Sequence, residues 1–483
     1  MAQAIAVVAC VPASLHATPL TLYDVLMPRL PQYIEKAVPN PPSKRAPWYT
    51  NTAPSYAGVF LWVVFYQSLA QDTLEHAGPL FCIGSLIVAA LLSYSLYYYV
   101  PAMLGMKTGY PLYVVGSSTF GTAGGYIMPG LLMGLLQIGW FAVGTFYSTT
   151  YILKGLGRDA TPGTLQFGII AVLWGYIMGY IGVKGIQYVA RVSIFLNLIP
   201  ALMVLVVFFK TAGGISSFKP PQPDPYLAFV LLLQAVIGFF ATAGAAGADF
   251  GMNSRDARDV KLGGLVGIAL AILYAGGLPL LSVAGAHGSN AALSFSYDSV
   301  IGSVGGFLAT TMFFLFAVAS VVPACFCAFI AGNSFSTMIP GVPRVSSTMV
   351  GVTIAIVLAI TGYAANLAVV FSLVGASFGP ICGAMVADYF LSGRKWAGPR
   401  KGINWAGYSA WALGFIVGIL PLGFLPVPDS FKTYAQPAVV YSFLTGLIVY
   451  ALVAKAGGEP ETVEVREPVP VAPGRRKGKA TAD

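Results

Sequence analysis

The chain has 483 residues, of which 57% are hydrophobic and only 9% charged, with a formal net charge of +9. A soluble domain carries about 25% charged residues, so an ordinary soluble fold is excluded. Apolar runs longer than ~18 residues recur along the sequence, without the alternating segments of about ten residues that mark a β-barrel, which indicates an all-α polytopic membrane protein.

In chain order, residues 1–52 read as an N-terminal tail with prolines and scattered charge. Residues 4–13 are apolar but short, interrupted by Pro12 and without a basic start, so no signal peptide is expected. A weak amphipathic pattern lies near residues 20–37. Twelve spans follow, at about 55–76, 79–103, 124–153, 164–183, 187–210, 227–247, 262–285, 304–332, 346–363, 365–391, 405–425 and 437–454. Each is long enough to cross ~30 Å of hydrocarbon. They divide into one five-helix unit over 53–210, a second over 211–391, and two extra helices over 392–454. Residues 455–483 are polar, charged and Pro-rich, the composition of a disordered tail.

Lys and Arg crowd the connections on the N-terminal side of these spans, whereas the other side holds only Lys154, Arg158, Lys210, Lys219 and Lys432. That asymmetry predicts both termini in the cytoplasm of a protein in the cell (inner) membrane. It also accounts for the net charge without a nucleic-acid partner. Of the five cysteines, Cys82, Cys325, Cys327 and Cys382 lie within apolar runs and read as small hydrophobes, and no cysteine has metal-type spacing with histidine.

Within the third span, residues 134–147 read GLLQIGWFAVGTFY. On a helix Gln137, Trp140 and Gly144 share one face. An amide, a flat indole and a small residue suit a wall for a flat, hydrogen-bonding solute. They equally suit a polar spot satisfied by a neighbouring helix, with Gly144 allowing close approach. Two other spans look interrupted. The first is apolar from Pro54 to Phe65 and then reads Tyr66-Gln67-Ser68-Leu69-Ala70-Gln71-Asp72. The sixth reads Gly238-Phe239-Phe240-Ala241-Thr242-Ala243-Gly244-Ala245-Ala246-Gly247, with three glycines to weaken it. Interrupted helices at matching places in two halves mark a transporter site near the midplane. The competing reading is tight helix crossing.

Together these segments resemble the nucleobase:cation symporter-1 (purine/cytosine permease) family, and within it the bacterial cytosine permeases. The resemblance rests on Gln137-Ile138-Gly139-Trp140-Phe141-Ala142-Val143-Gly144, Lys107-Thr108-Gly109, Ala248-Asp249-Phe250, Gly379-Pro380, Ala387-Asp388-Tyr389 and Ile403-Asn404-Trp405. It implies a LeuT-type fold of five-plus-five inverted repeats with two C-terminal helices. It implies a secondary active transporter importing a nucleobase such as cytosine or a purine, or a related heterocycle, by alternating access. Co-transported Na+ or H+ drives such uptake, with no organic cofactor. Carried onto this chain, Gln137 hydrogen-bonds the base, Trp140 stacks on it, Phe240 stacks from the other side, and Phe239 and Thr242 flank the pocket. In the eighth span the family's asparagine position falls on Ala319, with Ser320 beside it, and its hydroxyl positions fall on Val322 and Pro323. Gln67 is then a candidate for the missing amide, and Ser320, Ala319 and Asp72 for the cation-coupling region. No metal site is assigned.

Asp72, Glu75 and His76 follow the first span as a titratable cluster or a solvated loop. Asp249 and Asp388 stand near Arg255/Arg258 and Arg394/Lys395, which suggests structural charge pairs. His287 has no evident partner, and residues 475–479 form a short basic tail. The alternative function is a transporter of the same fold for allantoin, hydantoin, thiamine or an amino acid. An enzyme is disfavoured, since no nucleophile motif, metal cluster or nucleotide loop is evident. A channel is disfavoured because no ring of repeated charges appears. The expected partners are the bilayer and a small nucleobase-like molecule, handled by a functional monomer.

Overall fold

The computed structural model describes residues 30–465. Residues 1–29 and 466–483 lie outside it, and with them the apolar segment 4–13, most of the amphipathic segment 20–37, Cys10 and the basic stretch 475–479. Among the described residues the chain is helical, with two isolated β-bridges.

The first span is not one helix. It consists of α1 (Thr52–Phe60), α2 (Val63–Tyr66) and α3 (Gln71–Leu74). Between α1 and α2 the backbone at Trp62 is extended, with φ −68° and ψ 125°. Aromatic and β-branched residues crowd this turn, and they are the residues that lose rotamer freedom in a helix. The carbonyl of Leu61 accepts a hydrogen bond from the Tyr66 hydroxyl at 3.3 Å.

The long helices follow: α4 (Pro79–Thr108), the short α5 (Leu112–Phe120), α6 (Leu132–Gly155), α7 (Leu165–Gly185) and α8 (Gln187–Ser217). Next come α9 (Pro225–Ala245), the short α10 (Gly247–Gly251), α11 (Ala257–Ser289), the short α12 (Tyr297–Val304), and α13 (Gly306–Ala319) with α14 (Val321–Met338). The last are α15 (Arg344–Ile360), α16 (Leu367–Leu391), α17 (Trp405–Ile419) and α18 (Ala438–Lys455). Among the described residues, ten helical segments are long and apolar enough to cross a bilayer. The expected twelve is therefore not reached by length: the first span is divided, and α15, the expected ninth, has 17 residues.

The sixth span corrects an expectation. α9 starts at Pro225, capped by the Asp224 side chain, which accepts from the Leu227 N–H at 3.0 Å. It then runs regularly through Gly238 and Gly244, and the change comes only at Ala246, before α10. Its glycines serve close approach. A Cβ on Gly238 would lie 2.5 Å from the Phe371 carbonyl oxygen of α16, and one on Gly244 would lie 2.6 Å from Tyr97 Cβ of α4. The second interruption falls instead at Ser320, between α13 and α14. Pro323 has no N–H to give the Ala319 carbonyl, so the ladder is open at that point.

Helix packing forms two neighbourhoods. α6 packs against α13, α14 and α15, and α7 closes on α14 and α15. α9 packs against α4 and α16, while α16 and α17 pack on α18. Large apolar side chains such as Phe195, Phe209 and Leu452 point outward, as a lipid-facing surface requires.

The tails are anchored where they are described. Arg45 donates to the Met106 carbonyl at 2.6 Å, and Ala46 N donates to the Asn253 carbonyl at 2.8 Å. At the other terminus, Lys401 N donates to the Glu461 carbonyl and Val463 N to the Pro399 carbonyl, at 3.0 and 2.7 Å. Arg400 also pairs with Glu459 there, at 2.9 Å.

Candidate functional site

The two neighbourhoods meet at Trp140. Its indole, on α6, is buried and tilted against Trp62 at a centroid distance of 6.0 Å. It meets Phe239 of α9 edge-on at 5.1 Å and Phe371 of α16 at 5.7 Å. The Trp140 Nε1–H donates to the Thr242 hydroxyl at 3.2 Å, tying α6 to α9. Gly144, one turn on, makes room for Trp62: a Cβ there would lie 2.9 Å from Trp62 Cζ2.

Of the residues expected to form the site, Trp140 thus touches both Phe239 and Thr242. Phe240 is placed differently. It stacks on Phe60 at 5.4 Å and lies 5.6 Å from Tyr56, so Phe239, not Phe240, is the ring against Trp140. Gln137 has other neighbours. Its Nε2–H points to Met133 Sδ at 3.7 Å, and it lines a small pocket with Cys327 and Ala331 of α14 and Thr348 of α15. Gln67 does not stand opposite Gln137. Its Oε1 accepts from the Tyr151 hydroxyl at 2.6 Å, at the end of α6 away from the tails. Ser320 is committed to its own helix through a 3.0 Å bond to the Phe316 carbonyl, and Ala319 is buried beside it.

Near Gln67 a cavity of about 700 Å³ opens, lined by Gln71, Asp72, Lys154, Asp298 and Asn366 among others. Asp72 faces it and is exposed. Lys154 of α6 and Asp298 of α12 form an ion pair across its wall. Burial alone would raise the Asp298 pKa, but the Lys154 ammonium together with hydrogen bonds from Lys154, Ser296 and Gln67 outweighs it and holds the carboxyl below its usual range. His76, expected in a solvated loop, bonds through Nδ1 to the Gln222 carbonyl at 2.8 Å.

The remaining charged residues are placed as follows. Asp388 pairs with Arg400 at 2.9 Å, not with Arg394 or Lys395. The chain turns at Arg394, whose φ is 61°, and the Arg394 carbonyl there accepts from Lys107. Asp249 accepts from Leu112 N at 3.2 Å, caps the start of α5 and makes no ion pair among the described residues. His287 has a partner after all: it stacks on Phe295 at 4.3 Å. Sequence reasoning missed Trp62, Phe371 and the Lys154–Asp298 pair. Trp62 and Phe371 look like any lipid-facing aromatic in an apolar run, and the ion pair joins residues 144 positions apart.

The arrangement offers flat rings, few hydrogen-bonding groups and no charge around Trp140, which suits a neutral planar solute. Comparisons agree with that chemistry. Residues 74–446 match the family model described as permease for cytosine/purines, uracil, thiamine, allantoin. The cytosine permease of Escherichia coli (strain K12) is 28% identical over 359 residues, covering 71% of this chain and 78% of that protein. Among solved structures, MHP1, a nucleobase-cation-symport-1 family transporter in a closed conformation with bromovinylhydantoin bound, superposes with a TM-score of 0.63 at 16% identity. That match covers 87% of this chain and 96% of MHP1. A Na+-coupled sialic acid symporter in a substrate-bound outward-open state gives a TM-score of 0.55 at 15% identity, covering 90% of this chain and 93% of that one. The fold is thus the LeuT-type transporter fold, in a multi-pass membrane protein. The chain belongs to the family of permeases for cytosine/purines, uracil, thiamine and allantoin.

Proposed function

We propose that this protein is a cation symporter that imports a nucleobase, such as cytosine or a purine, or a closely related heterocycle, by alternating access. The observation that carries this reading is the family match over residues 74–446, and the ring cluster around Trp140 gives it a place to act. Trp140 supplies a stacking face for any flat base, with Phe239 and Thr242 beside it and Gln137 one turn away. The cavity lined by Asp72, Lys154 and Asp298 is the outer vestibule, and both termini face the cytoplasm. The 53–210 and 211–391 segments act as the two inverted halves, and one chain in the cell membrane suffices for transport. The coupling ion is Na+ or H+, and the open ladder at Ala319 with Ser320 beside it is where such an ion acts. Gln67 and Asp72, at the vestibule, contribute to the entry path, and Phe240 supports Phe239 from behind.

Purified protein in liposomes tests this reading. Uptake of radiolabelled cytosine, uracil, adenine and hypoxanthine is measured with an inward Na+ gradient, with an inward H+ gradient, and with neither. Saturable, gradient-driven accumulation of one base supports the proposal and identifies the ion. No accumulation of any heterocycle under either gradient refutes it.

A further inference from the structure

The first span changes direction at Trp62. Its indole is 6% exposed, packs over Gly144 and tilts against Trp140 at 6.0 Å. Its Nε1–H has no hydrogen-bond partner among the described residues. A buried indole N–H normally finds an acceptor, and an orphaned one is costly enough to need an explanation. Three other tryptophans follow the rule. Trp140 donates to Thr242, Trp396 to the Val115 carbonyl at 2.9 Å, and Trp411 to the Ser377 carbonyl at 3.0 Å. Trp174, on α7, also lacks a partner, but it joins none of the ring pairs described. Trp62 is therefore the tryptophan of the ring cluster whose donor is unspent, and it is held on non-helical backbone against the proposed stacking face.

We propose that the Trp62 Nε1–H is a specificity-determining donor that reads an oxo group on the ring stacked at Trp140, so that the site selects heterocycles bearing a ring carbonyl. The inference rests on the heterocycle reading above and adds the chemistry of one edge. An oxo group projects ~1.2 Å beyond its ring, so it can reach a donor mounted on a different chain segment. Its lone pairs lie in the ring plane, where a donor beside the stacking face meets them. A base without the oxo group leaves the N–H buried and unpaired, and sites built around such a donor reject the analogue strongly. The phenylalanines around Trp140 have no comparable preference, since a ring face accepts any flat partner.

The test uses pairs of ligands differing by one oxo group: cytosine with 4-aminopyrimidine, and hypoxanthine with purine. Their affinities are measured by competition binding on the purified protein, for wild type and Trp62→Phe, which keeps an aromatic ring and removes the N–H. The expected result is a wild-type preference of about tenfold or more for the oxo member of the bound pair. In Trp62→Phe that preference collapses to within about twofold, through weaker binding of the oxo member alone. Wild-type protein that binds both members equally overturns the proposal without any variant. A folded Trp62→Phe that keeps the wild-type ratio, or loses both members in equal measure, overturns it as well. If the wild type binds none of the four and no other heterocycle, the heterocycle reading itself fails, an outcome distinct from a lost preference.

Discussion

Arg400 offers a sharp test of how this bundle is held together at its tail-bearing end. Its guanidinium is 6% exposed and makes three bonds: to Asp388 at 2.9 Å, to Glu459 at 2.9 Å and to the Ser118 carbonyl at 2.6 Å. Replacing it with Met keeps the volume and removes the charge. Asp388, itself 5% exposed, would keep the Ser118 and Thr119 hydroxyls at 2.6 and 3.0 Å but lose its counter-charge. Glu459 is more exposed and can turn to water or to the Tyr450 hydroxyl, which already donates to it at 2.7 Å. Removing one partner of a buried pair costs ~3–5 kcal/mol, and the surviving hydroxyl bonds place Arg400→Met near the lower end, at ~3 kcal/mol. Asp388→Asn added to Arg400→Met removes the stranded charge and should recover at least ~1 kcal/mol. Denaturant unfolding in detergent micelles, followed by tryptophan fluorescence, measures both. A loss below ~1 kcal/mol for Arg400→Met, or strictly additive losses in the double variant, would refute the reasoning.

Three further outcomes are expected. Trp140→Ala removes the stacking face and the bond to Thr242, so substrate affinity should fall at least about fivefold, since base stacking contributes ~1–3 kcal/mol. Unchanged uptake by folded protein counts against the site. Asp298 has a depressed folded pKa, so its stabilisation is complete above the unfolded value of ~3.9 and fades as pH falls through the folded value. Asp298→Asn should therefore melt below wild type at pH 6, with the gap closing as the pH drops below ~3.9, and a gap that stays constant into that acid range excludes the pair as its source. Gly238→Ala drives a Cβ into the Phe371 carbonyl and should destabilise by ~1–3 kcal/mol, whereas Gly139→Ala meets nothing within 4 Å and should be neutral or stabilising. Equal effects of the two changes in a melting assay would contradict the packing described.

Hydropathy made the spans legible because the bilayer imposes one simple length rule. Trp140 was legible for a related reason: a polar-tipped ring among apolar residues is conspicuous. The glycines of α9 were not. Glycine permits both an open backbone and a close helix crossing, and only the neighbour decides which, here the Phe371 carbonyl and Tyr97. The order of Phe239 and Phe240 was equally hidden, because adjacent helical residues differ by about 100° and a register read from motif alone cannot say which one faces α6. Asp388 illustrates a third kind of limit. Arg394 and Lys395 are nearer in sequence, yet the left-handed turn at Arg394 sends the chain past them and returns Arg400 to the carboxylate.

A signal that sequence reasoning passed over runs through all of these places. The chain has 26 tyrosines. Many of those described donate their hydroxyls to backbone carbonyls where regular structure stops. Tyr66 bonds Leu61 at the break in the first span, and Tyr56 bonds Ala243 at 2.9 Å in the last turn of α9. Tyr147 bonds Ala365 at 3.1 Å, Tyr33 bonds Thr122 at 2.8 Å, and Tyr408 bonds Gly124 at 2.9 Å, all in connections between helices. A helix end within a bilayer protein has carbonyls that water cannot reach, and each needs a donor. Tyrosine meets this need with a large apolar body that packs and one hydroxyl at a fixed distance from its backbone. Trp62 is the converse case: its buried indole N–H is a donor without an acceptor among the described residues, beside the ring on which the substrate is proposed to stack.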